Sequence, residues 1–98
     1  MRGVGLSDLD AATRALLAQP RETWQAAAAQ LIDDAHTADL CRKRLGQAHP
    51  NGGTGSLYAQ ARLGQRVTTR NCGQHYCAAL SVLLQALEAW RNRCNHEL

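Results

Sequence analysis

Phenylalanine is absent from this 98-residue chain, and its only aromatic residues are Trp24, Tyr58, Tyr76 and Trp90. So small a set leaves no room for a large aromatic-lined pocket. Apolar residues make up 45% of the chain, but many are alanines, which let helices approach closely and add little area each. No stretch nears the ~20 apolar residues needed to span a bilayer. The opening Met-Arg-Gly-Val-Gly-Leu carries no apolar run of secretory-signal length. We therefore expect a cytoplasmic protein without a membrane partner. In a reducing compartment, Cys41, Cys72, Cys77 and Cys94 are expected as thiols or ligands and not as a disulfide framework.

Motifs of catalysis and cofactor binding are also scarce. The segment Gly52 to Ser56 (Gly-Gly-Thr-Gly-Ser) precedes a helix, where backbone N–H groups can hold an anion. A P-loop requires a lysine after its last glycine, and Ser56-Leu57 stands there instead. We read this segment as a turn that places the next helix. Cys72, His75 and Cys77 cluster at a helix start. Zinc sites favour two close ligand pairs, and no second pair accompanies Cys72 and Cys77. On a helix those two thiols also point about 140° apart. Cys72 beside His75 has the setting of an activated thiol but no third orienting group. We expect no catalytic residue, no cofactor and no metal. A Cys/His metal or redox site is kept as one alternative.

What the sequence does have is apolar periodicity. One stripe reads Trp24, Ala28, Leu31, Ala35, Ala38 and Leu45; another reads Tyr76, Leu80, Leu83, Leu87, Trp90 and Cys94. Steps of three and four keep such residues on one helix face. A long helix with one apolar stripe must bury it against another helix. A first helix opens at Ser7, with Asp10 as capping partner, and closes at Pro20. The second runs from Pro20 to Leu45, about 39 Å long, and Gly46 stops it. Ser56 caps a short third helix ended by Gly64. Asn71 begins the fourth, with Gln74 as capping partner, and it runs to Cys94. The fold class is all-α: a long helix and a C-terminal helix packed as an antiparallel hairpin, two short helices covering the ends, in one domain spanning residues 1–98.

Charge is distributed unevenly. Three basic residues face six acidic ones up to Leu40, and eight face two from Cys41 onward, for a net +3. Such asymmetry can hold two halves or two subunits together, or can face nucleic acid. The cations available for phosphate contact are Arg42, Lys43 and Arg44, then Arg62, Arg66 and Arg70. Helix-turn-helix, zinc-finger and ribonucleoprotein signatures are missing, so any contact would be sequence-nonspecific.

The run Ser7-Asp8-Leu9-Asp10-Ala11-Ala12, then Arg14 to Leu17, then Gly46, His49-Pro50 and Gly53-Thr54-Gly55-Ser56-Leu57, resembles a family of short, uncharacterised alphaproteobacterial proteins. Their closing Tyr-Cys pair and apolar helix resemble Tyr76-Cys77 through Trp90. The resemblance brings no activity with it. A looser, purely architectural likeness is to the small terminase subunits of phages and gene transfer agents, which are helical, oligomeric, non-catalytic adaptors in DNA packaging. We therefore expect a non-enzymatic adaptor or assembly subunit. Its partner is a protein, either a second copy in a homo-oligomer or another chain; nucleic-acid binding through the basic second half is the alternative.

Overall fold

A computed structural model of the chain describes residues 3–45, 56–64 and 73–96. Among the described residues there are four α-helices: α1 (Leu6–Leu17), α2 (Trp24–Leu45), α3 (Leu57–Ala61) and α4 (Gln74–His96). A single 3-10 turn at Arg21–Thr23 joins α1 to α2. Among the described residues there is no strand. The all-α class holds, as does the packing of the long helix on the C-terminal helix.

The helix ends follow local chemistry. Gly5, and not Ser7, is the N-cap of α1. The reason is Asp8, whose carboxylate accepts a hydrogen bond from the Gly5 N–H at 2.8 Å and satisfies one of the helix's orphan donors. At the far end Pro20 cannot continue α1. Its carbonyl accepts from both the Thr23 N–H, at 2.9 Å, and the Thr23 hydroxyl, at 2.7 Å. That tight turn delays α2 to Trp24, whose indole Nε1 donates to the Gln19 carbonyl at 3.1 Å. Ser56 caps α3 as expected, its hydroxyl accepting from the Ala59 N–H at 3.0 Å. Helix α4 begins at Gln74; Asn71 lies outside the described residues.

Neighbouring side chains fix the sense of each helix. Ala15, Leu16 and Gln19 at the end of α1 lie beside Ala27 and Gln30 near the start of α2, so these two run antiparallel. Val4 and Leu9, at the start of α1, lie beside Leu84, Leu87 and Arg91 in the second half of α4, while Tyr76 at the start of α4 reaches Asp10. Helix α1 therefore opposes α4 as well. Gln25 and Ala29 share a groove with Val82, Gln85 and Ala86, and Asp33 reaches Arg93. Residue number thus rises in the same direction along α2 and α4. The expected antiparallel sense is corrected here, for a topological reason. Helix α3 starts at Asp8 and ends beside Gln19, so it carries the chain back along α1 before α4 begins.

The core lies where the four helices meet. Ala12, Leu16, Ile32, Leu57, Ala79 and Leu83 are all at most 1% exposed. Alanines at Ala28, Ala35 and Ala79 admit close approach, and the bulk comes from single Leu and Ile residues. The α2 stripe needs one change. Ile32 is buried, whereas Leu31 is half-buried and turns toward α1 and α3, beside Ala15 and Ala61. On α4, Leu83 and Leu87 are buried while Tyr76, Leu80 and Trp90 are half-buried. The side chains of Leu45 and Cys94 lie outside the described residues.

Candidate functional site

Two polar ties that periodicity did not reveal hold the short helices in place. The second oxygen of the Asp8 carboxylate accepts from the Tyr58 N–H at 2.9 Å, joining the starts of α1 and α3 across fifty residues of chain. Asp10 accepts from the Tyr76 hydroxyl at 2.7 Å and lies 3.2 Å from the Arg14 guanidinium. Each carboxylate serves two partners, so the pair Asp8 and Asp10 fastens α3 and α4 onto α1. The signal available in sequence was two acids one residue apart in the first turns of a helix. Only the fold shows that they reach outward.

Between α1 and α4 runs an open groove of about 400 Å³, floored by Val4, Leu9 and Leu87 and rimmed by Glu88 and Arg91. Leu84 lines it while remaining 47% exposed. Leu6, one turn ahead of Leu9, is 85% exposed.

The second halves of α2 and α4 form the other notable region. His36 meets Trp90 edge to face, with ring centroids 5.3 Å apart and planes at 68°. Burial holds the His36 imidazole below its ordinary pKa of 6.5, and Lys43 adds to this, while Asp39 and Asp33 oppose it. Asp39 is 3% exposed and pairs with the Lys43 ammonium at 3.0 Å. Burial alone would raise the Asp39 pKa; the hydrogen bond from Lys43 is the largest of the opposing causes, and the carboxyl stays below its ordinary 3.8. Asp33 and Arg93 are 3.8 Å apart with both side chains more than half exposed.

The sequence-derived candidates scatter. Lys43 and Arg44 are exposed on the last turn of α2. The side chain of Arg42 lies outside the described residues, as do Arg66, Arg70, Cys72 and Gly52–Gly55. Arg62 folds over the Tyr58 ring, 5.3 Å from its centroid, and donates to the Tyr58 hydroxyl at 2.9 Å. His75 and Cys77 are exposed near the start of α4, and Cys41 is half-buried near the end of α2. Among the described residues, no three His, Cys, Asp or Glu side chains gather in a way that could hold a metal ion. Among them also, no helix is long and apolar enough to cross a membrane.

Residues 2–87 match the model of a family described as a domain of unknown function, DUF7742. The chain belongs to that family. The matched span takes in Asp8, Asp10, Leu84 and Leu87 and ends before Trp90, Arg91 and Arg93. No curated protein and no solved structure matches the chain.

Proposed function

We propose that this protein is a non-catalytic helical assembly subunit that binds protein through the α1·α4 groove, and that the first occupant of that groove is a second copy of the chain. The observation that carries the reading is the groove together with its neighbours. The surface bears a hollow floored by Val4, Leu9 and Leu87, with the exposed Leu84 lining it. Hollow and protrusion on one surface suit a two-fold contact, in which the same patch of each copy meets the other. The rim carries one charge of each sign, so Glu88 of each copy can meet an arginine of the other. The architectural likeness to small terminase subunits leads us to place this assembly role in DNA packaging. That placement rests on the short, all-helical build alone.

Sedimentation of the purified chain over a wide concentration range tests the proposal. The expected result is a concentration-dependent dimer that Leu84→Asp reduces to monomer while the thermal melt stays unchanged. A chain that remains monomeric at several hundred micromolar overturns it. So does an oligomer that Leu84→Asp and Leu6→Asp both leave intact.

A further inference from the structure

From Cys41 to Leu87 the chain contains no carboxylate side chain, yet it carries six permanent cations. Among the described residues, much of the acidic first half is engaged elsewhere. Asp8 is taken up by two backbone N–H groups, Asp10 by Tyr76 and by Arg14 of its own helix, and Asp34 by Gln30. Among the described residues, two ion pairs reach into the basic half, Asp39 with Lys43 and Asp33 with Arg93. Among the described residues, no carboxylate pairs with Arg44.

The shared sense of α2 and α4 brings their cations to one end of the molecule. Asp33, Leu40 and Arg44 stand at i, i+7 and i+11, a single stripe along α2. Arg93 reaches that stripe at Asp33, and Lys43 borders it. Arg44 and Arg93 thus lie on one face, with Arg44 about three helical turns beyond the point where Arg93 meets α2. Arg91 stands about 200° around α4 from Arg93 and belongs to the groove instead. Cations at helix C-termini also complement the helix dipole, but that role requires no common face.

We propose that this face, formed by Lys43, Arg44 and Arg93 at the shared end of α2 and α4, binds the phosphate backbone of nucleic acid. Three cations contact phosphates and none reads a base edge, so recognition is independent of sequence. Occupation of this face is compatible with pairing through the α1·α4 groove, which lies on the other side of α4.

Fluorescence anisotropy of a labelled 20-base-pair duplex, titrated with the full chain, supplies the test. At 50 mM salt the expected outcome is binding at micromolar protein, equal for two unrelated sequences. Three phosphate contacts predict that log K falls by about 2.7 per log unit of salt, or roughly 40-fold between 50 and 200 mM. Arg44→Gln with Arg93→Gln is expected to reduce that slope to about 0.9 with an unchanged melt. Arg44→Lys with Arg93→Lys is expected to restore it. Lys43 is left in place because it also pairs with the buried Asp39. Arg21→Gln, one charge removed from the acidic half, should change affinity less than twofold. Four results overturn the proposal: no binding at 100 micromolar protein, an unchanged slope in the glutamine double variant, an equal loss in Arg21→Gln, or equal competition by polyglutamate at matched charge.

Discussion

The layer where all four helices meet and the far ends of α2 and α4 are built on different principles. In the layer, side chains at most 1% exposed fill the interior, and two carboxylates make hydrogen bonds of 2.7 to 2.9 Å to groups on other helices. Among the described residues, only α2 and α4 reach the far ends, because α1 has 12 residues against 22 in α2. The contacts there include an edge-on ring pair, an ion pair stretched to 3.8 Å and the pairing of Lys43 with the buried Asp39 at 3.0 Å. The first region joins apolar bulk to directional bonds between helices, and the second carries exposed charges beside the buried Asp39. The comparison teaches that stability resides where the short helices are, while the long helices extend beyond it and keep their surface for partners.

The strongest way to break the comparison is to place a charge in the layer. Leu83→Asp buries a carboxylate without a partner and should cost several kcal/mol out of a total of about 5–15 for a small domain, leaving the chain unfolded by circular dichroism at room temperature. Leu31→Asp should cost much less, since Leu31 is half-buried and can turn its carboxylate to water. Equal melts for the two variants would mean that the layer is not where stability resides. Next in size is Leu57→Ala, which empties a fully buried site on a helix of only five residues. A loss of about 2–5 kcal/mol in urea unfolding is expected.

The polar ties give a smaller and sharper contrast. Asp8→Ala removes the acceptor of two backbone N–H groups and should cost about 1–2 kcal/mol. Asp33→Ala removes a stretched, exposed ion pair and should cost at most about 0.5 kcal/mol. Denaturant midpoints of the two variants decide between the regions, and similar values would erase the distinction. Acid provides a further probe of the far ends. His36 has a lowered pKa in the fold, so the folded state binds fewer protons than the unfolded chain as pH drops below 6.5. Stability should therefore be full above that value and decline below it, and His36→Gln should flatten the decline between pH 7 and 5. Asp39, also lowered, contributes stability above pH 3.8 that is lost at still lower pH. Melts at half-unit pH steps follow both.

Much of this architecture was legible beforehand, because three- and four-residue spacing reports helix faces directly. Ser56 as a cap, Pro20 as a break, and Leu83 and Leu87 as core positions all follow from local chemistry. The sense of the long pair was not legible. A five-residue helix reads as a cover for an open end, and nothing within Leu57–Ala61 reveals that it carries the chain back along α1. Ile32 lies next to Leu31, about 100° around the helix, and sequence cannot say which of the two meets the layer when both are aliphatic. The groove was hidden for another reason: Val4 precedes the first helix, and only the placement of α4 puts Leu84 across from it. Asp8 and Asp10 read as helix-start acids, a local role that concealed their reach to Tyr58 and Tyr76.

The chain's two tryptophans sit one in each region, and this makes the protein its own optical instrument. Trp24 is 5% exposed, with its indole nitrogen held by the Gln19 carbonyl at the tight turn. Trp90 is half-buried with an imidazole against its edge. A protonated imidazole quenches a neighbouring indole, so emission from Trp90 dims as His36 titrates while that from Trp24 stays constant until the turn itself opens. With Trp24→Phe or Trp90→Phe, a single fluorimeter trace then follows one region at a time. Loosening at the far ends becomes visible as a change in brightness before any helix is lost.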